Sequence, residues 1–159
     1  MKILIVGVSG LVGSKFVELH PNPAELLTPS PQELDITNRQ SVTEYFAKNQ
    51  PNVIVNFAAY TNVGEGEKQR GDKTGDCWKL NYIGVQNLLD VMAPSTFFVQ
   101  ISTDMVFSGS AQRPGPYSET DLPETNSDKL TWYGYSKAEA ERLVLSQLGE
   151  KSTILRLIY

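Results

Sequence analysis

Apolar residues fall into short continuous runs that are separated by longer amphipathic stretches. Runs of four or five apolar residues closed by glycine or a polar residue are typical of strands buried in a parallel sheet. The pattern predicts such strands at Ile3–Val6, at 53–57 and at 97–101, a short one near Leu26–Leu27, and the start of another over 153–158.

Between these runs, apolar residues recur every three or four positions, which predicts helices. We expect helices at Leu11–Leu19, 38–48, 76–92 and 133–148. The residues expected on their buried faces are Val12, Phe16 and Leu19 in the first helix, Val42, Tyr45 and Phe46 in the second, and Leu80, Gly84, Leu88 and Val91 in the third. The glycine-rich, charged segment 64–75 predicts a surface loop, and no regular element is expected over 109–128.

Strands that alternate with helices indicate βαβ units, and such units form a parallel sheet with right-handed crossovers. The predicted fold class is therefore α/β, a Rossmann-like doubly wound parallel sheet, with residues 1–159 as one NAD(P)-binding domain. The chain stops at Tyr159, inside or just after a strand, whereas doubly wound domains usually continue. We therefore expect a chain truncated before its C-terminal substrate-binding part.

Composition narrows the function classes. The net charge is −4 and no basic tract gathers the 14 Lys and Arg residues, so no nucleic-acid partner is expected. Apolar runs are too short for a membrane or signal segment. The lone Cys77 cannot form an internal disulfide, which favours a cytoplasmic location. One histidine without a Cys/His cluster predicts no metal site.

The turn between the first strand and the first helix has the sequence G-V-S-G-L-V-G over residues 7–13. Glycines allow main-chain N–H groups to approach a pyrophosphate, and the helix N-terminus behind them carries a positive dipole end. Because strand, turn and helix follow in the required order, we expect this turn to bind a dinucleotide. Its predicted contact residues are Gly7, Ser9, Gly10, Leu11, Val12 and Gly13.

The end of the second predicted strand bears on the choice of dinucleotide. NAD selectivity often depends on an acidic residue at this position, which accepts a hydrogen bond from the ribose 2′-hydroxyl. The sequence has Thr28-Pro29-Ser30 there, and the first acid beyond the loop is Asp35. NADPH is therefore favoured, with NADH as the alternative.

A tyrosine and a lysine stand four residues apart in Tyr133-Gly134-Tyr135-Ser136-Lys137. On a helix this spacing places both side chains on one face. A neighbouring ammonium lowers the pKa of a phenol from its ordinary value of about 10, toward the range that is useful for acid/base catalysis. The pair predicts a proton donor, and Lys137 is also expected to bond the nicotinamide ribose.

Ser102-Thr103-Asp104 follows the fourth predicted strand directly. Ligands in open α/β sheets bind at the carboxyl ends of the strands, so a hydroxyl group at this position faces the cleft. Thr103 could hydrogen-bond a substrate carbonyl oxygen. An isolated Ser-Thr-Asp is more often a turn or N-cap, but the three motifs occurring together favour reductase chemistry.

Further segments complete a pattern that runs through essentially the whole chain. These are Glu33-Leu34-Asp35-Ile36-Thr37, Pro51-Asn52-Val53-Ile54-Val55-Asn56, Ala58-Ala59-Tyr60-Thr61, Asn81, Val106-Phe107 and Pro116-Tyr117. With the motifs above, they resemble the extended short-chain dehydrogenase/reductase family, in particular the dTDP-4-dehydrorhamnose reductases.

The resemblance implies roles for individual residues. The implied catalytic residues are Tyr133 as proton donor, Lys137 as its activator and ribose anchor, and Thr103 as partner of the substrate carbonyl. Asp104 and Met105 are implied to border the substrate. Asp35 and Ile36 are implied to border the adenine, and Ala58, Ala59 and Tyr60 to line the cofactor path.

The resemblance also implies a reaction. In this family, NADPH or NADH gives a hydride to the 4-keto group of a dTDP-linked 6-deoxysugar, which yields dTDP-rhamnose. The implied partner is therefore a nucleotide sugar, and a homodimer is a candidate assembly. Met105 stands where the family usually has tyrosine, and Gly64 stands where it usually has aspartate, so the identity of the sugar is left open.

Two other functions remain as alternatives. One is a non-catalytic, NAD(P)-binding regulatory subunit that resembles the one of methionine adenosyltransferase. The other is an epimerase or dehydratase of the same superfamily, which would retain NAD without net consumption. The presence of Thr103, Tyr133 and Lys137 together favours the reductase, because a pure binding module does not need a proton donor.

Overall fold

The computed structural model describes residues 1–158, and within them five strands form one sheet. The strands are β1 Ile3–Val6, β2 Leu26–Leu27, β3 Val53–Asn56, β4 Phe97–Thr103 and β5 Ser152–Leu157. All neighbours are parallel, in the order β2-β1-β3-β4-β5. This confirms the predicted α/β class and each predicted strand position, with β4 two residues longer than expected.

Helices connect the strands. They are α1 Leu11–Leu19, α2 Arg39–Lys48, α3 Val63–Glu67, α4 Asp76–Trp78, α5 Gly84–Val91 and α6 Trp132–Leu148. Short 3₁₀ turns lie at Pro23–Glu25, Asp104–Val106, Ser127–Lys129 and Gly149–Lys151, so the end of 109–128 is not wholly irregular. No helix within residues 1–158 has the length and apolarity needed to cross a membrane.

Helices cover both faces of the sheet, as a doubly wound fold requires. On one face, α2, α5 and α6 pack against alternate strand residues such as Leu4, Ile54 and Phe98. On the other, Phe16 and Val17 of α1 pack against a cluster that includes Ile5 and Val55. The buried strand faces explain why the sequence shows continuous apolar runs.

The buried face of α1 differs from the prediction. Leu19 was expected to face inward, but it is 68% exposed, so that prediction was wrong. The reason is Gly13, which is buried: a Cβ at Gly13 would lie 2.4 Å from the Gly7 carbonyl oxygen. This close backbone approach rotates the helix so that Gly13, Phe16 and Val17 face the sheet.

The predicted helix 76–92 forms without a break over 76–91, but its winding changes within it. A π turn at Lys79–Ile83 separates α4 from α5. The predicted inward face is kept, since Gly84 and Leu88 are buried, and Leu80 and Val91 are partly buried and pack against the same core cluster as Leu88. Gly84 packs on Ile36, since a Cβ there would meet the Ile36 side chain at 2.7 Å.

The surface-loop prediction for 64–75 was wrong at its start, where α3 forms. The Asn62 side chain caps this helix by accepting a hydrogen bond from the Glu65 amide at 3.1 Å. Gly66 is buried, and a Cβ there would lie 3.3 Å from Cys77 Sγ. Capping and close packing therefore form a short helix despite its two glycines.

The strand order reverses between β1 and β3, because the chain proceeds from β1 outward to β2 and then crosses to the other side of β1. Ligands of open α/β sheets bind at such a switch point, outside the carboxyl ends of the strands. Here it lies between the turn after β1, which begins at Gly7, and the segment after β3, which begins at Phe57.

Candidate functional site

The glycine turn lies directly at the switch point. Gly7 has a φ of +84°, and a Cβ at Gly7 would lie 2.5 Å from the Ala58 amide nitrogen. Gly10 occupies the N-cap of α1 and provides no side-chain hydrogen bond to the first-turn amides. These features leave an open backbone cradle at a helix N-terminus, which suits a pyrophosphate.

A cavity of about 390 Å³ opens on one side of this turn. Its lining combines the turn, the loop after β2 and the segment after β3. Among the residues predicted to bind the cofactor, it contains Gly7, Ser9, Gly10, Asp35, Ile36, Ala58 and Ala59. Asp35 is fixed in place because its Oδ1 accepts hydrogen bonds from the Thr37 amide and hydroxyl at 2.9 and 2.7 Å.

A second cavity, of about 610 Å³, lies on the other side of the turn. It brings together the remaining turn residues with the residues that follow β4 and begin α6. The predicted residues in its lining are Gly10, Leu11, Val12, Gly13, Ala59, Thr103, Asp104, Met105, Tyr133 and Lys137. The two cavities share Gly10, Phe57 and Ala59, so they form adjoining halves of one cleft.

Of the predicted residues, Tyr60 lines neither cavity. Its amide donates a 2.8 Å hydrogen bond to Asn81 Oδ1. Its ring packs against a buried cluster formed by Cys77, Trp78, Trp132 and Tyr133. The structure therefore places Tyr60 behind the cleft, where it connects the segment after β3 to the π turn.

Thr103, at the carboxyl end of β4, has two local hydrogen bonds. Its hydroxyl oxygen accepts from the Met105 amide at 3.2 Å and its hydroxyl group donates to Asp104 Oδ1 at 3.1 Å. Thr103 therefore caps the 3₁₀ turn that follows, while it also lines the second cavity. Rotation of the hydroxyl would free its proton for a ligand, because it is the donor to Asp104.

The position of Tyr133 depends on how α6 begins. The Thr131 hydroxyl oxygen caps the helix by accepting from the Gly134 amide at 3.0 Å. A Cβ at Gly134 would lie 2.3 Å from the Met105 carbonyl oxygen, so the first turn of α6 packs directly against the backbone after β4. This contact brings Tyr133 to the same cavity as Thr103, 30 positions earlier in the sequence.

Lys137 is an almost fully buried cation, 2% exposed. Its ammonium donates a 2.7 Å hydrogen bond to the Ile101 carbonyl oxygen near the end of β4. Burial lowers the pKa of Lys137 to about 8, and the nearby Glu141 carboxylate acts in the opposite direction. A cation held in this way beside a phenol fits an acid/base site.

Glu141, one helical turn after Lys137, is fully buried and paired with Arg156 of β5. Arg156 Nη2 lies 2.8 Å from Glu141 Oε2, and its Nε donates to both carboxylate oxygens. The pair fixes α6 against β5. It also keeps a negative charge one helical turn from the Lys137 ammonium.

Three buried polar residues near this site were assigned no functional role from the sequence, although Asn56 and Ser102 belong to segments of the family resemblance. Asn56 and Gln100 are fully buried and hydrogen-bonded to each other, with Asn56 Nδ2 3.0 Å from Gln100 Oε1. The Ser102 hydroxyl, on the same strand as Gln100, is buried without a hydrogen-bond partner among residues 1–158. The available signal was a polar residue inside an otherwise apolar strand, which marks a site or a buried network.

Comparisons with known proteins give a consistent picture. The sequence profile described as "RmlD substrate binding domain" matches residues 1–159. The chain is 37% identical over 158 residues to a dTDP-4-dehydrorhamnose reductase of Aggregatibacter actinomycetemcomitans, covering 98% of the chain and 50% of that protein. It therefore spans about half the length of the curated relatives it matches.

Solved structures show the same likeness. A dTDP-4-dehydrorhamnose reductase of Clostridium acetobutylicum superimposes with a TM-score of 0.80 at 35% identity, covering 98% of this chain and 52% of that one. The reductase of Bacillus anthracis, solved in complex with NADP, gives a TM-score of 0.84 at 28% identity, covering 99% and 54%.

Proposed function

Because the chain belongs to the RmlD substrate binding domain family, we propose that it is the dinucleotide-binding part of an NAD(P)H-dependent reductase. The proposed substrate is a nucleotide-linked 4-keto-6-deoxysugar, as the names of its relatives indicate for those proteins. The observation that carries the proposal is one cavity lined by the glycine turn together with Thr103, Tyr133 and Lys137.

The residues of the cleft fit a dinucleotide. Gly7 and Gly13 allow a tight turn in which a Cβ would collide with neighbouring main-chain atoms, and the first-turn amides of α1 are available for a pyrophosphate. Asp35 and Ile36 would border the adenine in the smaller cavity, with Ala58 and Ala59 along the path to the larger one. The nicotinamide half would then lie beside Tyr133 and Lys137.

The chemistry divides between the cofactor and the chain. When bound, the nicotinamide would supply a hydride. The residues of this chain would donate the proton and stabilise the charge that develops. The Tyr133 hydroxyl gives its proton to the substrate oxygen, and the Thr103 hydroxyl holds that oxygen in place. The Lys137 ammonium stabilises the resulting phenolate by Coulombic attraction, which is strong because the cation is buried.

NADPH is the proposed hydride donor, with NADH as the alternative. The residues after β2 support this order of preference. No acid stands at Thr28-Pro29-Ser30, and the first acid in the smaller cavity is Asp35. We also propose that residues 1–159 form a single cofactor domain. For the whole protein, we also propose a nucleotide-sugar substrate, a cytoplasmic location and a homodimeric assembly.

Two measurements test this function. Titration of the protein with NADPH should change the cofactor fluorescence with a saturable isotherm. With a dTDP-4-keto-6-deoxysugar, the whole protein should oxidise one NADPH per sugar reduced. Product formation without NADPH consumption would point to an epimerase or dehydratase, and binding without any turnover would point to a regulatory subunit.

A further inference from the structure

The Ile101 carbonyl oxygen, near the end of β4, accepts two side-chain hydrogen bonds. One comes from the Lys137 ammonium at 2.7 Å and the other from the Gln100 side-chain amide, Nε2, also at 2.7 Å. A carbonyl oxygen has two lone pairs, so these donors occupy both. Gln100 and Lys137 therefore share the Ile101 carbonyl oxygen as a common acceptor.

Gln100 is itself held in one orientation. Its Oε1 accepts from Asn56 Nδ2 at 3.0 Å, and Asn56 Oδ1 accepts from the Ala58 amide at 3.1 Å. A continuous chain of hydrogen bonds therefore runs from Ala58, in the cofactor cleft, through two side-chain amides to the carbonyl that holds Lys137. Each amide presents its NH₂ group in the same direction along this chain.

Both amides are fully buried at the centre of the sheet, where an apolar pair would ordinarily stand. Burying an amide costs free energy unless its hydrogen bonds are made. The connection to Lys137 gives these residues a use beyond packing. Of the three N–H donors of the ammonium, one is committed to Ile101, so the placement of that bond determines where the other two point.

We propose that Gln100 is a positioning residue for Lys137. By donating to the Ile101 carbonyl, Gln100 fixes the acceptor that sets the direction of the ammonium, so that the remaining donors face the cleft beside Tyr133. Asn56 orients Gln100 and links this arrangement to Ala58. The inference rests on the proposed function, because it assigns Gln100 an effect on cofactor binding and on turnover.

The test replaces Gln100 with a side chain of similar length that cannot donate. In the whole protein, Gln100→Met should lower kcat about tenfold and raise the Kd for NADPH about threefold, because the hydrogen bond that Gln100 donates to the Ile101 carbonyl is lost. The KM for the sugar nucleotide should stay within twofold, because Gln100 lines neither cavity.

Thr96→Val is the matched control. The buried Thr96 hydroxyl donates a 2.9 Å hydrogen bond to the Pro51 carbonyl oxygen at the opposite end of β4. This variant loses one buried hydrogen bond from the same strand region, far from Lys137, whereas Gln100→Met loses two, the one to Ile101 and the one from Asn56. If both variants lose thermal stability but kcat and Kd change only in Gln100→Met, the result would support a positioning role. Equal kcat and Kd in both variants would overturn it.

Gln100→Glu supplies a second test that preserves the size of the side chain. When protonated, the introduced carboxyl group can donate to Ile101 while accepting from Asn56; when ionised, it can only accept. Its kcat relative to wild type should therefore recover as the pH is lowered. A ratio that does not change with pH would contradict the inference, even if Gln100→Met failed to fold.

Failure of the proposed function gives different results. If the wild-type protein binds NADPH but reduces no 4-keto sugar, the proposed substrate is wrong, while the Kd ratio between the variants still decides the role of Gln100. If no form of the protein binds NADPH, both proposals fail.

Discussion

The Lys137 ammonium and the Ile101 carbonyl oxygen lie 2.7 Å apart, although the two residues are separated by 36 positions in the sequence. This bond ties the first half of α6 to the end of β4. It places a cation inside the protein with a pKa of about 8, where burial disfavours its charged form. The site therefore holds a charge that costs stability, as residues with a catalytic function often do.

Lys137→Met should stabilise the fold while removing turnover. A pKa lowered from 10.5 to about 8 by burial corresponds to a cost of about 3 kcal/mol at neutral pH, part of which the bond to Ile101 offsets. We expect the variant to gain about 2 kcal/mol in the free energy of unfolding at pH 7, measured by urea titration.

This gain should depend on pH. Between pH 8 and 10.5 the unfolded wild-type chain binds one proton more than the folded chain, so the stability of the wild type rises with pH in this window. The advantage of Lys137→Met should thus be complete below pH 8 and largely gone near pH 10.5. If the difference in the free energy of unfolding between Lys137→Met and the wild type stays constant with pH, the charged form of Lys137 does not destabilise the folded protein.

Tyr133→Phe should abolish the proton transfer. The loss of a positioned acid lowers turnover by about 10² to 10⁴-fold. The Kd for NADPH, followed by fluorescence, should change little because the ring is retained. Tyr135→Phe is the control, since Tyr135 lies on the same helix but packs with Trp78 and Trp132 rather than in the cavity. Turnover by Tyr133→Phe near that of the control would refute the mechanism.

Gly13→Ala should disrupt the turn itself. The added Cβ would lie 2.4 Å from the Gly7 carbonyl oxygen, whereas a Cβ at Gly10 would lie 3.4 Å from the same atom. We expect Gly13→Ala to cost about 2 kcal/mol of stability and to weaken NADPH binding. Gly10→Ala should cost less than about 1 kcal/mol. Similar unfolding curves for the two variants would argue against close packing at Gly13.

Glu141→Gln should lower the pKa of Lys137 below its value of about 8, because the Glu141 carboxylate favours the charged ammonium. Titration of the lysine side-chain carbons by NMR measures this shift directly. The control is Glu139→Gln, on the same helix, whose carboxylate pairs with Arg142 at the partly exposed surface. An unchanged Lys137 pKa in Glu141→Gln would mean that the two side chains do not interact.

Much of the fold was predictable because its signals are local. The apolar run Ile3–Val6 identifies a buried strand, since every residue in it faces one of two covered sides of the sheet. The spacing of Tyr133 and Lys137 places both on one helix face regardless of what surrounds that helix. The buried face of α1 differs from the predicted face by one position, because the close backbone contact at Gly13 has a larger effect on the helix orientation than the spacing of its apolar residues.

The sequence by itself determined the βαβ order, the glycine turn and the shared helix face of Tyr133 and Lys137, because each is specified by neighbours a few residues apart. Only the tertiary structure decided that Tyr60 lies behind the cleft, that Lys137 is buried, and that Asn56 and Gln100 connect Ala58 to Ile101. These depend on contacts between residues that are distant in the chain. Whether a buried polar side chain is hydrogen-bonded, and in which direction, is fixed by its partners across the sheet.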